Sequence, residues 1–294
     1  MKSGVILVNK PSGYTSFDII AILRGVLRER RLGHAGTLDP MASGVLPVLA
    51  GTATRAMDLI PDSDKEYIAD FKLGASYDTL DTTGRIAESG GKELTESDIR
   101  AVLPEFTGEI SQLPPMYSAV SVNGVRLYEY ARRGEAVKRQ ERQIRVSRLE
   151  LTFFDEASQS GRLEIKCSKG TYIRSLIDDI ARRAGSLGAM SSLLRTVSHG
   201  FRLSECLELE KIRELGSSAW DSLIPTDRLF ECYPTVSLGK AQARMYKNGV
   251  RLDSGRVSGA VPGILRVYSP EDGFLGLCRV ENGELTVYRN FWTR

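Results

Sequence analysis

The order of apolar runs along this chain constrains its fold more than any other feature. Strand-like and helix-like patterns are mixed, without the strict alternation that would build a parallel sheet. Val5 to Val8 is a short β-branched run that stops at Lys10-Pro11-Ser12-Gly13, a loop signal. Thr15 or Ser16 can cap a helix carrying Ile19, Ile20, Ile22, Leu23 and Val26. Arg24, Arg28, Arg30 and Arg31 lie at or beyond its end, where the helix dipole favours cations and phosphates can be met. Lys65 to Leu73 alternates, with Tyr67, Ala69, Phe71 and Leu73 on one face. Thr95 to Asp98 has capping-box spacing ahead of Ile99, Val102 and Leu103. Asn123-Gly124 signals a hairpin, Ile144 to Phe154 and Leu163 to Cys167 read as strands, and Thr171 to Arg183 reads as an amphipathic helix capped by Thr171. From Pro225 to Pro234 the pattern shifts to short strands, with turns at Asn248-Gly249, Asp272-Gly273 and Asn282-Gly283. The expected fold is therefore α+β, on a largely antiparallel sheet, with a small β-rich C-terminal module. The boundary is placed between residues 1–230 and 231–294.

Composition narrows the function classes. With 41% hydrophobic and 26% charged residues the chain builds a core. No apolar run approaches 18 residues, so no membrane span is expected. The cysteines Cys167, Cys206, Cys232 and Cys278 form no C-x-x-C pair, which speaks against a zinc knuckle and for reduced thiols in a cytosolic protein. Only His34 and His199 are available, too few for most zinc hydrolases and histidine triads. The net charge is +3, and its distribution matters more than its size. Residues 231–294 hold nine Lys and Arg against six Asp and Glu, so the first 230 balance.

Three segments can carry chemistry. Asp39 sits in a loop with Gly33, Gly36 and Gly44, where glycines permit tight turns and close ligand approach. Pro40 pushes Asp39 toward an extended backbone that displays its carboxylate. An Asp before a Pro also serves as a turn or cap residue, and the position alone does not choose. The segment lacks the Gly-Lys-Ser/Thr of a P-loop and the glycine spacing of a dinucleotide fingerprint. In the second segment, Cys167 to Leu176, Arg174 falls in a first helical turn, where a cation is disfavoured unless a carboxylate or phosphate partners it. Asp39 as that partner would stay ionised and oriented. The alternative is a solvated cation. The third segment, Arg126 to Arg145, interleaves cations with Tyr128 and Tyr130, which suits phosphate contact and base stacking and equally suits a solvated face.

Taken together, these blocks resemble the TruB family of tRNA pseudouridine synthases. Gly33-His34-Ala35-Gly36-Thr37-Leu38-Asp39-Pro40-Met41-Ala42-Ser43-Gly44 is similar to its catalytic motif. In the same order, Asn9 to Ser16, Lys65-Glu66-Tyr67, Gln112 to Ala119, Asn123 to Gly134, Cys167 to Leu176 and Leu193 to Gly200 resemble its other motifs. The stretches at Asn248-Gly249, Ile264 to Tyr268 and Gly273 to Leu277 resemble a PUA domain. Ser121 stands where lysine is common, and Ile180-Ala181 replaces the usual hydrophobic-Gly pair.

The resemblance implies a pseudouridine synthase fold and isomerisation of a T-loop uridine in tRNA, without cofactor or metal. It implies Asp39 as catalyst, with Arg174 pairing with it and Tyr67 stacking on the uracil and assisting removal of the C5 proton as the other catalytic residues. It implies His34 in the space left by flipped nucleotides, Tyr172 and Leu193 lining the pocket, and Lys10 supporting the loop. Lys10, Lys169, Arg126 and Arg132 join the expected RNA-binding residues. The implied partner is the tRNA T arm, with the acceptor stem reached through the C-terminal domain, and no protein partner or membrane. A non-catalytic RNA chaperone and a guide-RNA-dependent dyskerin-type relative are the other readings. Asp39, Tyr67 and Arg174 weigh against the first. The Asn123 to Gly134 block and the lack of long charged extensions weigh against the second.

Overall fold

The computed structural model describes residues 2–61 and 64–292. Across its main sheet the strands run Leu207–Glu208, Gly4–Lys10, Ser43–Ala50, Gly188–Ser198, Lys65–Leu73, Ser160–Cys167, Arg142–Asp155 and Gly108–Gln112. Along this path the neighbours are antiparallel except at two places. Gly4–Lys10 meets Leu207–Glu208 in parallel, and Ser43–Ala50 meets Gly188–Ser198 in parallel. The second seam is short, pairing Ser43 with Leu194 and Gly44 with Arg195. Gly44 makes it possible. Its φ is +107°, and a Cβ there would lie 2.2 Å from the Arg195 carbonyl oxygen.

The alternation of Lys65–Leu73 places Tyr67, Ala69, Phe71 and Leu73 inward. They share one core with Leu163, Ile165, Leu176, Ile177 and Ile180. Leu176 and Ile177 come from the helix Ile173–Arg183, whose apolar stripe covers this face of the sheet. Each such side chain stabilises the fold by about 1.5–3 kcal/mol on burial. The helix Ser16–Leu27 covers the other half, packing Ile19, Ile20 and Leu23 with Ile6, Val8, Leu46 and Val48. Thr15 starts that helix with a capping box. Its Oγ1 accepts from Asp18 N at 3.0 Å, and its own N–H donates to Asp18 Oδ2 at 2.7 Å.

A second sheet follows, ordered Thr235–Ser237, Gly263–Ser269, Gly273–Glu281, Glu284–Asn290 and Leu252–Asp253. Its core includes Val236, Tyr246, Leu265, Val267, Cys278 and Leu285. A further apolar cluster ties the two sheets together, joining Val5, Leu7, Val45 and Leu49 to Phe230, Leu277 and Phe291. Among the described residues no helix is long and apolar enough to cross a membrane.

Two local expectations change. Asn248-Gly249 ends the helix Lys240–Lys247 instead of joining two strands. Its Gly249 donates its N–H to the Tyr246 carbonyl with φ +77°, a helix stop. Thr171 does not cap the helix Ile173–Arg183. Its hydroxyl donates to the Ser168 carbonyl at 3.0 Å, closing the preceding turn, and Tyr172 stands at the N-cap. By contrast, Asn123 and Gly124 have φ +52° and +79°, the backbone that a two-residue hairpin needs.

Candidate active site

Five segments converge on a cavity of about 230 Å³. Its walls are Thr37, Leu38 and Asp39, then Lys65 and Tyr67, Ser118 and Ala119, Gly170 to Arg174, and Leu193. The Asp39 loop follows the short strand Leu32–His34 and precedes Ser43–Ala50. Ser16 pins the loop from below. Its hydroxyl donates to the Leu38 carbonyl at 3.1 Å and accepts from the Leu38 N–H at 2.9 Å.

Arg174 holds the carboxylate. Its Nε lies 3.0 Å from Asp39 Oδ2, with the Arg174 side chain 5% exposed and that of Asp39 37% exposed. The remaining guanidinium nitrogens are spent on protein. Nη1 donates to the Thr79 carbonyl at 2.8 Å, and Nη2 to the Tyr117 carbonyl at 2.9 Å. Buried Asp81 adds a second carboxylate 3.7 Å from Nη1. The cation near a helix N-terminus is thus compensated by two acids and two carbonyls, and it turns one carboxylate toward the cavity.

The helix that carries Arg174 is itself clamped. Buried Gln112 donates from Nε2 to the Tyr172 carbonyl at 3.1 Å, and its Oε1 accepts from the Tyr172 N–H at 2.8 Å. One side-chain amide thereby satisfies both backbone groups of the N-cap residue.

A second arginine grips the loop from behind. Arg195 is fully buried. It donates to the Val45 carbonyl at 2.8 Å, to Gly36 at 2.9 Å and to Thr37 at 3.3 Å. Gly36 has φ +79°, and a Cβ there would lie 3.2 Å from Lys65 Nζ and 3.4 Å from Arg195 Nη1. Tyr67 stands beside this cation on its strand. Burial pushes its phenol up to about 12, and the Arg195 charge opposes part of that rise. The phenol is therefore protonated at neutral pH.

The other expected site residues divide by position. Leu193 and Tyr172 line the cavity. His34 lies half-buried at the end of its short strand, with a buried Nδ1 that has no hydrogen-bond partner among the described residues. Burial and the Arg195 charge lower its pKa, which favours neutral imidazole. Lys10, expected among the RNA contacts, is fully buried. Its ammonium donates to the carbonyls of Pro11, Tyr14 and Pro40 at 2.9, 2.6 and 3.3 Å, so it braces the loop and has no N–H left for RNA. Its pKa falls to about 8, chiefly through desolvation. Lys169 is exposed at the turn before Gly170. Arg126 and Arg132 are exposed outside the cavity. Arg126 donates to the Ala119 carbonyl at 2.6 Å, and Arg132 lies 5.4 Å from the Tyr128 ring centroid.

Residue-by-residue reading missed roles for Arg195, Gln112 and Asp81. A cation between Leu194 and Val197 in an apolar stretch was the available signal for Arg195. Its partners are more than 140 positions away, which no local pattern reveals.

A larger open depression of about 1180 Å³ lies on the second sheet, lined by Lys240, Arg244, Lys247 and Trp292 among others. Its acids are already taken, Glu271 by Lys240 and Asp272 by Lys247. The small cavity, with its oriented carboxylate, is the better seat for chemistry.

Known proteins give the same picture. The family model for TruB family pseudouridylate synthase (N terminal domain) matches residues 24–173. A "tRNA pseudouridine synthase B" of Syntrophomonas wolfei is 40% identical over 282 residues, covering 95% of this chain and 94% of that one. One from Clostridium tetani is 38% identical, covering 94% of each. One from Lactobacillus delbrueckii is 40% identical, covering 85% and 86%. Among solved structures, a chain of the "Crystal Structure of a Cbf5-Nop10-Gar1 Complex" superposes with a TM-score of 0.73 at 24% identity, covering 99% of this chain and 85% of that one. That likeness concerns the fold. The ordered motifs, the shared fold and relatives alike over nearly the whole length lead to one assignment: the chain belongs to the TruB family of pseudouridylate synthases.

Proposed function

We propose that the protein isomerises a uridine in the T loop of tRNA to pseudouridine, with Asp39 as the catalytic residue. The observation that carries this reading is the Asp39 carboxylate, held by Arg174 at 3.0 Å yet open to a cavity of about 230 Å³. The reaction breaks the N1–C1′ bond, rotates the uracil and joins C5 to C1′. The proton leaves C5 and N1 gains one, so the atoms balance without water or redox partner.

An ionised carboxylate serves either route through the first step. It can attack C1′, as in a retaining glycosidase, or take the C2′ proton to give a glycal. The target base must first leave its stack, at a cost of a few kcal/mol. Tyr67 forms a wall on which the uracil stacks, with Tyr172 and Leu193 closing the pocket. Arg195 behind the phenol supplies positive potential where negative charge develops on the departing uracil. His34, neutral and half-buried, fills the space that the flipped nucleotide leaves. Residues 231–294 act as a PUA-like RNA-binding domain that takes the acceptor stem.

The test is tritium release from an unmodified T-arm stem-loop labelled at uridine C5. Release from that substrate supports the reading. No release across tRNA substrates from folded protein overturns it.

A further inference from the structure

The catalytic reading leaves the arginines around the first helix without a task. Phe17, Ala21, Arg24 and Arg28 recur at i, i+4, i+7 and i+11, so they form one stripe along the helix Ser16–Leu27 and its C-cap. All four are exposed. Phe17 is 61% exposed, a large aromatic left in water, and the Arg24 guanidinium lies 5.7 Å from its ring centroid. Arg30 and Arg31, also exposed, extend the cationic run beyond the helix.

These charges are not neutralised locally. Among the described residues, none of Arg24, Arg28, Arg30 and Arg31 forms an ion pair or a side-chain hydrogen bond. The two acids of the segment are engaged elsewhere. Asp18 accepts from the Thr15 N–H in the capping box, and Glu29 accepts from the Arg31 N–H at 2.7 Å. Most other surface arginines that pair do so with a carboxylate, as Arg162 does with Asp70 and Arg183 with Glu105.

The stripe also points at the active site. Its Phe17 end adjoins Ser16, which hydrogen-bonds both backbone groups of Leu38, the residue before Asp39. Its Arg28 end lies about 17 Å away along the helix. Unpaired guanidinium groups spaced along a helix, beside an exposed aromatic with an arginine over it, match a polyanion that carries flat bases.

We propose that this helix face is a second RNA-binding surface, on which Arg24, Arg28 and Arg30 take backbone phosphates and Phe17 stacks against a base of the same tRNA that enters the cavity. The inference rests on the tRNA reading above for the identity of the RNA.

Fluorescence anisotropy with a full-length unmodified tRNA transcript, at several salt concentrations, tests it. The triple substitution Arg24→Gln, Arg28→Gln, Arg30→Gln is expected to weaken binding at least fivefold near physiological salt. The slope of log Kd against log salt should fall by about two to three, one phosphate per arginine. Phe17→Ala should weaken binding at least threefold with the slope unchanged. Thermal melting reports whether each variant is folded. Unchanged affinity in the folded triple variant overturns the proposal, as does weakened binding with an unchanged slope. Tritium release at saturating tRNA separates the two readings. The triple variant should turn over like the parent, whereas a parent protein that releases none indicts the catalytic assignment and leaves the binding data to judge the surface.

Discussion

Replacing Arg174 by lysine keeps the charge and removes the geometry. The guanidinium meets Asp39 at 3.0 Å, Asp81 at 3.7 Å, and the Thr79 and Tyr117 carbonyls at 2.8 and 2.9 Å. Those four partners lie around a planar fork that a single ammonium cannot span. At least two contacts are lost, and each buried acceptor left without a donor costs about 1–3 kcal/mol. Arg174→Lys should therefore lose about 2–6 kcal/mol of stability, to be set against a typical total of about 5–15 kcal/mol. Asp39 would lose its fixed orientation. Loss of one preorganised contact at a reacting group lowers kcat by about 10²–10³. KM should change little, because the Arg174 guanidinium nitrogens are engaged by protein groups and not by the cavity's contents. Urea denaturation and tritium-release kinetics on a T-arm stem-loop measure the two effects. A kcat within threefold of the parent, in a variant destabilised as expected, would refute the claim that Arg174 orients Asp39.

Arg195→Met strands the carbonyls of Gly36, Thr37 and Val45, while relieving the desolvation of a buried cation. A net loss of about 2–5 kcal/mol in urea, with slower tritium release, is expected; a loss under about 1 kcal/mol contradicts the latch role. Lys10 gives a pH signature. Its folded pKa of about 8 lies below the ordinary lysine value of 10.5, so the unfolded chain binds more protons between these values. The cost of burying the ammonium is full below pH 8 and fades as pH rises toward 10.5. The stability of the parent relative to Lys10→Met should therefore climb by about 1–3 kcal/mol across that window, and a flat or falling difference would be wrong for a desolvated lysine.

The pattern of legibility follows the range of the interactions. Capping of the first helix at Thr15, the inward set of Lys65–Leu73 and the Asn123-Gly124 turn depend on neighbours a few positions away, and they are readable in the chain. Thr171 shows the limit even there, because its hydroxyl had two nearby uses and took the turn. The strands Gly188–Ser198 and Gly108–Gln112 lack clean alternation, and they form because partners on both sides or at the edge recruit them. The site depends more heavily on such distant pairings. Asp39 and Arg174 drew attention through loop chemistry and helix position, whereas the clamps at Gln112 and Arg195 exist only once the sheet is assembled. The same assembly affects experiments on the C-terminal region. Phe291 and Leu277 pack in the cluster of Val5, Leu7, Val45 and Leu49, so removing the tail exposes an apolar face of the main sheet. Surface substitutions are the cleaner probe of its RNA binding.

Asp39→Asn tests the central claim most directly, because it preserves shape and hydrogen-bonding capacity while removing the charge. Tritium release from a C5-labelled T-arm stem-loop should vanish while Kd for the RNA stays within about threefold, since tRNA affinity comes mainly from phosphate contacts. Measurable turnover by the folded Asp39→Asn protein would contradict the account and remove Asp39 from the reaction.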